Sequence, residues 1–229
     1  MNREVLSKLE NGLVVSCQAR PGNPLRDPSH MAAMAEAAEL GGAVAIRADG
    51  PDDIREIKKR INIPVIGIYK TTPSPDIPYI TPDFEHAAAI AALGVEIIAL
   101  DATLRPRPDG TEVGSLIERI KKELGVIVMA DIATLEEGVA AAEAGADIVA
   151  TTLSGYTTYS ACTPGPDLEL IRKLRTSVSV PIIAEGRFTT PEDVRMGMEA
   201  GAYAVVIGKA ITNVQFMTDR FIEKAGLKK

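Results

Sequence analysis

Short apolar runs alternate with longer amphipathic stretches along the whole chain. Four runs follow a glycine that closes an alanine-rich stretch, at Gly42, Gly94, Gly145 and Gly201. Glycine in this place is typical of a helix end, because it adopts the left-handed conformation cheaply. The β-branched run that follows predicts a strand buried on both faces. The units recur about every fifty residues, a spacing typical of a two-unit (βα) module.

A second set of apolar runs lies between the first, at 63–70, 125–131 and 180–186, and another run occupies 13–18. These bring the number of predicted strands to eight, and a helical stretch follows each but the last. No linker interrupts the series, so we predict one (β/α)8 TIM barrel domain over 1–229, with a short capping helix at 4–10. The alternative, a doubly wound open sheet, is expected to carry a Gly-x-Gly-x-x-Gly turn after a strand, and the sequence has none.

Composition and charge narrow the range of partners. The chain has 31 Asp+Glu against 25 Lys+Arg, a net charge of −6, and therefore no overall field to attract nucleic acid or an anionic membrane. No apolar run reaches the roughly 18 residues of a membrane span, so we expect a cytoplasmic protein. Two cysteines, Cys17 and Cys162, and two histidines are too few for a disulfide framework or a His/Cys metal cluster.

Polar side chains stand where nearly every predicted strand ends. In a barrel these ends share one face, which carries the chemistry. Any one such residue is often just a solvated boundary, but packing gives no reason for the whole set to converge. Three long loops, at 71–82, 103–110 and 154–166, are expected to cover this face. The set comprises Gln18, Arg47, Lys70, Asp101, Asp131, Thr152 with Ser154, Glu185 with Arg187, and Gly208 with Lys209.

Lys70 and Glu185 are the strongest catalytic candidates. Partial desolvation at a barrel mouth would lower the pKa of Lys70, which could then transfer protons or form a Schiff base with a carbonyl substrate. Glu185 could be a second acid or base. The alternatives are a snorkelling lysine and a carboxylate that only pairs with Arg187.

The turns after strands seven and eight predict a phosphate site. Many barrels hold a phosphate there with loop N–H groups and a short helix. Gly186 and Gly208 would allow close approach of the ligand, and Arg187 and Lys209 would supply charge. Thr190 is explained as a helix cap.

Several segments, taken together, resemble the bacterial N-acetylmannosamine-6-phosphate 2-epimerases of sialic acid catabolism. They occur in the family's order over nearly the whole chain. The resemblance implies a TIM barrel without metal or organic cofactor that interconverts the 6-phosphates of N-acetylmannosamine and N-acetylglucosamine. The segments are LVVSCQA from Leu13, AIR from Ala45, PVIGIYK from Pro64, DIAT from Asp131, TTLSGYT from Thr151, AEGR from Ala184 and IGKAIT from Ile207.

The resemblance also implies roles for single residues. Lys70 and Glu185 would transfer protons, while Gln18, Arg47 and Asp131 would orient the sugar and the catalytic pair. The hydroxyl-rich segment after strand six suits a sugar, so we expect further substrate contacts from Thr152, Ser154, Gly155 and Arg187. The chain departs from the family at Asn213, where an arginine is common, and this leaves more of the phosphate charge to Arg187 and backbone N–H groups.

We therefore predict a cofactor-independent epimerase acting at carbon 2 of an amino-sugar phosphate. Two alternatives remain open at this point: a Schiff-base aldolase that uses Lys70 as nucleophile, and a sugar-phosphate-binding barrel without catalysis. The expected partner is a small molecule rather than nucleic acid or membrane, and a homodimer is one candidate assembly.

Overall fold

Eight parallel strands close into a barrel in their order along the chain. The structure is a computed structural model that describes residues 2–72 and 76–228. The predicted (β/α)8 barrel is confirmed. Residues 73–75 of the first long loop lie outside the described residues. The strands are β1 Gly12–Cys17, β2 Ala45–Asp49, β3 Val65–Ile68, β4 Ile97–Asp101, β5 Ile127–Asp131, β6 Ile148–Ala150, β7 Ile182–Glu185 and β8 Ala204–Ile207.

Helices follow every strand, including the last. The expectation that the eighth strand lacks one is wrong, because Asn213 caps a helix by accepting a hydrogen bond from the Phe216 N–H at 2.9 Å. The helices are α1 Asn2–Leu9, α2 Pro28–Leu40, α3 Pro51–Lys58, α4 Phe84–Ala91, α5 Val113–Leu124, α6 Leu135–Glu143, α7 Leu168–Ser177, α8 Pro191–Glu199, α9 Lys209–Thr212 and α10 Val214–Lys224.

The core has two layers, because successive side chains of a strand point to opposite faces. In β3, Ile66 and Ile68 belong to the cluster that fills the barrel, and Leu9 of α1 is part of that cluster. Val65 belongs to the outer cluster under the helices. At Gly67 a Cβ would come within 2.9 Å of the Val95 side chain, so glycine lets this part of the outer layer pack closely. The apolar runs predicted from the sequence are therefore covered on both faces.

The two cysteines occupy opposite environments. Cys17 ends β1 and is buried, whereas Cys162 is exposed in the loop between β6 and α7. Burial raises the pKa of the Cys17 thiol to about 12. Within residues 2–72 and 76–228, no helix has both the length and the apolar character that crossing a bilayer demands.

Candidate active site

A cavity of about 570 Å³ opens at the end of the barrel where the strands finish. This volume is typical of a small-molecule site. The cavity brings together many of the residues singled out in the sequence, from both halves of the barrel. Its lining includes Gln18, Arg47, Lys70, Thr152, Glu185, Gly186, Arg187, Gly208 and Lys209.

Lys70 lies just beyond β3, where it forms an antiparallel bridge with Ile80 of the following loop. Its Nζ donates a hydrogen bond to Gln18 Oε1. Gln18 is itself anchored, since its Nε2 donates to Ser16 Oγ at 2.7 Å. Burial lowers the pKa of Lys70, and the nearby Asp49 carboxylate opposes this effect. The Lys70 amine is therefore fixed in position by Gln18, and it loses its proton more readily than the amine of a surface lysine does.

Glu185 is the last residue of β7, on the opposite side of the barrel from β3. Thr151 fixes its main chain, because the Thr151 hydroxyl accepts from Glu185 N–H at 3.1 Å and lies 2.9 Å from Glu185 O. Burial raises the pKa of Glu185; repulsion from Asp131 adds to this, and Arg47 opposes it. A carboxyl group in this setting can hold a proton more readily than one in water.

Arg47 joins the two carboxylates of the site. Its Nη1 donates to Glu185 Oε2 at 2.8 Å and to Asp131 Oδ1 at 3.1 Å. Its Nη2 bonds the other Asp131 oxygen. The arginine and Asp131 are only 1% and 0% exposed, so the pair depends on its mutual charge and hydrogen bonds rather than on water. Burial alone would lower the pKa of Arg47, but Asp131 and Glu185 together raise it above its usual value.

Thr152 lies between the same two carboxylates. Its hydroxyl is 2.7 Å from Asp131 Oδ1 and 3.2 Å from Glu185 Oε2. The hydroxyl has one proton, so it can donate to only one of the two carboxylates at a time. Asp131 is not among the described residues that line the cavity, and Arg47 and Thr152 connect it to Glu185.

Arg187 follows β7 and reaches the loop between β6 and α7. Its backbone is left-handed, with φ of 60°, next to Gly186 with φ of 110°. The guanidinium donates to Gly165 O at 2.7 Å and Ser154 O at 2.5 Å, and lies 3.2 Å from Thr163 Oγ1. These contacts occupy three of its nitrogens and attach the loop to the barrel rim.

Ser154 and Gly155 are not among the described residues that line the cavity. The Ser154 hydroxyl is 2.6 Å from Asp167 Oδ2, at the start of α7. A Cβ at Gly155 would lie 2.7 Å from Arg187 Nη1, so this glycine makes room for the guanidinium. Their roles in substrate binding stay predictions, and the geometry connects both residues with the loop.

A cationic end of the cavity lies around the turn after β8. Arg20, Lys209 and Arg220 line the cavity, together with Asn213 and one carboxylate, Asp193, which accepts hydrogen bonds from the Thr189 and Thr190 main-chain N–H groups. The Asn213 side-chain oxygen caps α10, and its amide carries no charge to offer a phosphate, unlike an arginine at the same position. Lys209 Nζ is 6.0 Å from the centre of the Phe216 ring. Positive charge at this end therefore comes from residues other than position 213.

Asp101 does not join the cavity, although it ends β4. It is fully buried, and its carboxylate bonds the Thr103 hydroxyl and Arg105 Nη2, both at 2.6 Å. The loop at 103–110, which carries Arg105, thus packs against the end of its own strand, β4. Sequence reasoning also overlooked Thr151, Ser16 and Asp49. Asp49 could have been found from the sequence, because it is the polar residue at the end of the run Ala45–Asp49 that forms β2, whereas Arg47 lies in the middle of that run.

Comparisons with known proteins agree with one another. Residues 31–227 match the family described as "Putative N-acetylmannosamine-6-phosphate epimerase". A relative from Caldanaerobacter subterraneus subsp. tengcongensis, named "Putative N-acetylmannosamine-6-phosphate 2-epimerase", is 52% identical over 223 residues, which cover 97% of this chain and 94% of the relative. A relative of the same name from Cutibacterium acnes is 48% identical over 219 residues, with 95% of each chain covered.

Solved structures give the same result. The N-acetylmannosamine-6-phosphate 2-epimerase from Clostridium perfringens superposes with a TM-score of 0.92 at 44% identity, covering 96% of this chain and 95% of that one. A thiamine phosphate pyrophosphorylase from Pyrococcus furiosus superposes with a TM-score of 0.62 at 17% identity, a likeness of fold alone.

Proposed function

Because the chain belongs to the N-acetylmannosamine-6-phosphate 2-epimerase family, we propose that Lys70 and Glu185 carry out its isomerase reaction. The reaction interconverts N-acetylmannosamine 6-phosphate and N-acetylglucosamine 6-phosphate. The observation that carries the assignment is the convergence of Lys70, after β3, and Glu185, at the end of β7, on one cavity from opposite sides of the barrel.

Inversion at carbon 2 requires loss and return of one proton. In the open-chain sugar this C–H bond lies next to the carbonyl of carbon 1. One residue removes the proton, and the bonding electrons move toward the carbonyl oxygen to give an enolate. The partner residue then delivers a proton to the opposite face of carbon 2, and the carbonyl re-forms. In the reverse reaction the two residues exchange roles.

The environments of the two groups suit this exchange. Burial lowers the pKa of Lys70 and raises that of Glu185, so each moves toward the pH at which it can both give and take a proton. Arg47 with Asp131 orients Glu185, and Gln18 orients Lys70. Thr152 completes the support of the carboxylate side.

For the phosphate we propose the cationic end of the cavity. Backbone N–H groups of Gly186 and Gly208 would approach the oxygens closely, and Lys209 would supply charge, with Arg20 and Arg220 nearby. For Arg187 the three loop contacts favour a role in holding the loop between β6 and α7 over the sugar.

We also propose that one domain, 1–229, contains the complete site, that the enzyme is cytoplasmic, and that it works as a homodimer. The support for the homodimer is α10, which contributes no fully buried residue. Val214 and Phe221 on it are 62% and 69% exposed, and Leu227 just after it is 63% exposed. Large apolar side chains gathered on one segment are typical of an interface.

Proton NMR of N-acetylmannosamine 6-phosphate in deuterium oxide tests the function, because it reports epimer formation and exchange at carbon 2 together. Lys70→Met and Glu185→Gln should each lower the rate about 10²–10⁴-fold while the fold is kept. Lys59→Met and Glu192→Gln, at exposed positions, are the matched controls. A near-normal rate in either catalytic variant refutes the pair, and borohydride-dependent labelling of Lys70 in the presence of substrate would indicate Schiff-base chemistry instead.

A further inference from the structure

Asp49, the last residue of β2, contacts Lys70 at two points. Its Oδ1 accepts a hydrogen bond from the Lys70 main-chain N–H at 3.0 Å. Its Oδ2 lies 4.0 Å from Lys70 Nζ, and the two side chains are 26% and 30% exposed. A single carboxylate therefore contacts both the backbone and the amine of the lysine to which we assign proton transfer.

The parallel pairing of β2 and β3 creates this contact. Asp49 is opposite Ile68 in the register, and Lys70 follows two residues later. Lys70 lines the cavity, whereas Asp49 is not among the described residues that do so. We therefore expect Asp49 to act on the reaction through Lys70, the cavity-lining residue that its carboxylate contacts.

Within the described part of the chain, the charged side chains with the largest influence on the Lys70 amine are Asp49 and Arg47 from β2, Asp131 from β5 and Glu185 from β7. Burial lowers the pKa of Lys70, and of the four it is Asp49 that acts most strongly, in the opposite direction. Asp131 and Glu185 both form ion pairs with Arg47, whose positive charge offsets theirs. Asp49 is thus the carboxylate that most stabilises the protonated form of this amine.

The charge of Asp49 also acts on Asp53, near the start of α3, and there too it raises the pKa, by repulsion of the carboxylate form. Burial raises the pKa of Asp53 to about 6, and repulsion from Asp49 is the next contribution. Asp52 and Asp27 add smaller repulsion, while Arg26 partly offsets it. Removal of the charge at position 49 should therefore lower the pKa of Lys70 and the pKa of Asp53.

We propose that Asp49 is a positioning residue for Lys70: one carboxylate oxygen fixes the lysine's main chain, and the other stabilises its ammonium form. The proposal deepens the proposed function and rests on it for its catalytic meaning. The contact itself can be tested without substrate.

The test is an NMR titration of the Lys70 amine in Asp49→Asn, with the wild-type protein and Lys70→Met to assign the signal. Asparagine keeps an oxygen to accept the Lys70 N–H but removes the charge. We expect the pKa of Lys70 to fall by about one pH unit, since a carboxylate at this distance typically raises the pKa of an amine by about that much or more. The pKa of Asp53, followed at its carboxyl carbon, should fall as well.

Two further variants separate charge from structure. Asp52→Asn removes a neighbouring carboxylate that is 81% exposed and pairs with Arg55, and it should leave the Lys70 titration unchanged. Asp49→Glu restores the charge and should return the pKa of Lys70 toward the wild-type value. If Lys70 titrates alike in wild type and a folded Asp49→Asn, or if Asp49→Glu restores nothing, the proposal is overturned.

The catalytic consequence is read from the pH profile of kcat/KM. The limb that belongs to Lys70 should move to lower pH in Asp49→Asn by the same amount as its titration. A uniform loss at every pH, with no movement of the limb, would mean that Asp49 only supports the fold. If the titration moves while Lys70→Met retains full exchange at carbon 2, the contact stands and the proposed role of Lys70 fails.

Discussion

Arg47 on β2 donates a hydrogen bond from Nη1 to Glu185 Oε2 on β7, over 2.8 Å. The arginine is almost fully buried and also binds Asp131. One positive charge therefore serves two carboxylates, of which only Glu185 lines the cavity. Among the charged neighbours of Glu185, Arg47 is therefore the one that most favours its ionised form, against the effect of burial.

Replacing Arg47 by methionine should reduce both stability and activity. Loss of the cation leaves Asp131, which is buried, and Glu185, which is 16% exposed, without the positive charge that pairs with both, and removal of one partner from such a pair typically destabilises a fold by about 3–5 kcal/mol. The pKa of Glu185 should rise further, so the loss of stability should shrink as the pH falls and Glu185 takes up a proton. Urea unfolding at several pH values measures this. Arg55→Met, at an exposed pair, should stay within about 0.5 kcal/mol of wild type, and an equal loss there would contradict the explanation.

Lys209→Met should weaken substrate binding more than turnover. If Lys209 neutralises the phosphate, its removal should raise KM about tenfold with little change in kcat, because that contact is the same in ground and transition states. Steady-state kinetics at fixed ionic strength measure the two constants. Lys173→Met, an exposed lysine of α7, should change neither. An unchanged KM in Lys209→Met would remove this residue from the phosphate site.

Arg187→Met should loosen the loop between β6 and α7. The guanidinium makes contacts to Ser154 O, Gly165 O and Thr163 Oγ1, and none of these can be made by methionine. We expect limited proteolysis to cut within 154–166 faster in this variant, about tenfold, while cleavage elsewhere is unaffected. Arg195→Met, whose partners are on its own helix, is the control. Unchanged loop cleavage together with a raised KM would favour phosphate binding by Arg187 instead.

Phe221→Glu should shift the protein from dimer to monomer. Phe221 is 69% exposed on α10, and a carboxylate in an apolar interface would be desolvated at a large energetic cost. Sedimentation velocity of wild type and variant gives the molar mass directly. Glu223→Gln on the same helix should behave as wild type. A monomeric wild-type protein at micromolar concentration would refute the homodimer.

The barrel could be predicted from sequence because its signals are local. A run of apolar, β-branched residues after a helix-ending glycine fixes a strand without knowledge of its neighbours. Lys70 and Glu185 were predicted as strand-end residues in the same way, and both line the cavity.

The resemblance named Gln18, Arg47 and Asp131 as supporting residues, but the pairings among them could not be predicted from the residues alone, since they depend on which side chains of different strands come together. Asp101 and Asp131 both end apolar runs, yet Asp101 is bound by Arg105 of its own loop while Asp131 pairs with Arg47 from β2. Arg47 is the third residue of its strand, not the last, and Asp49 was passed over for that reason. The loop contacts of Arg187 were likewise not predictable, because the carbonyls that accept its hydrogen bonds lie more than twenty positions away in the chain. Its phosphate contact stays a prediction.

The contrast between the two thiols gives a practical handle on the enzyme. Cys17 is buried in the core, and burial raises its pKa, so it is rarely a thiolate. Cys162 is exposed in the loop between β6 and α7, to which Arg187 donates hydrogen bonds. A maleimide fluorophore added to the native protein should therefore attach at a single place, and no engineered cysteine is required. Its emission would follow that loop as an amino-sugar phosphate enters and leaves, in real time and during turnover.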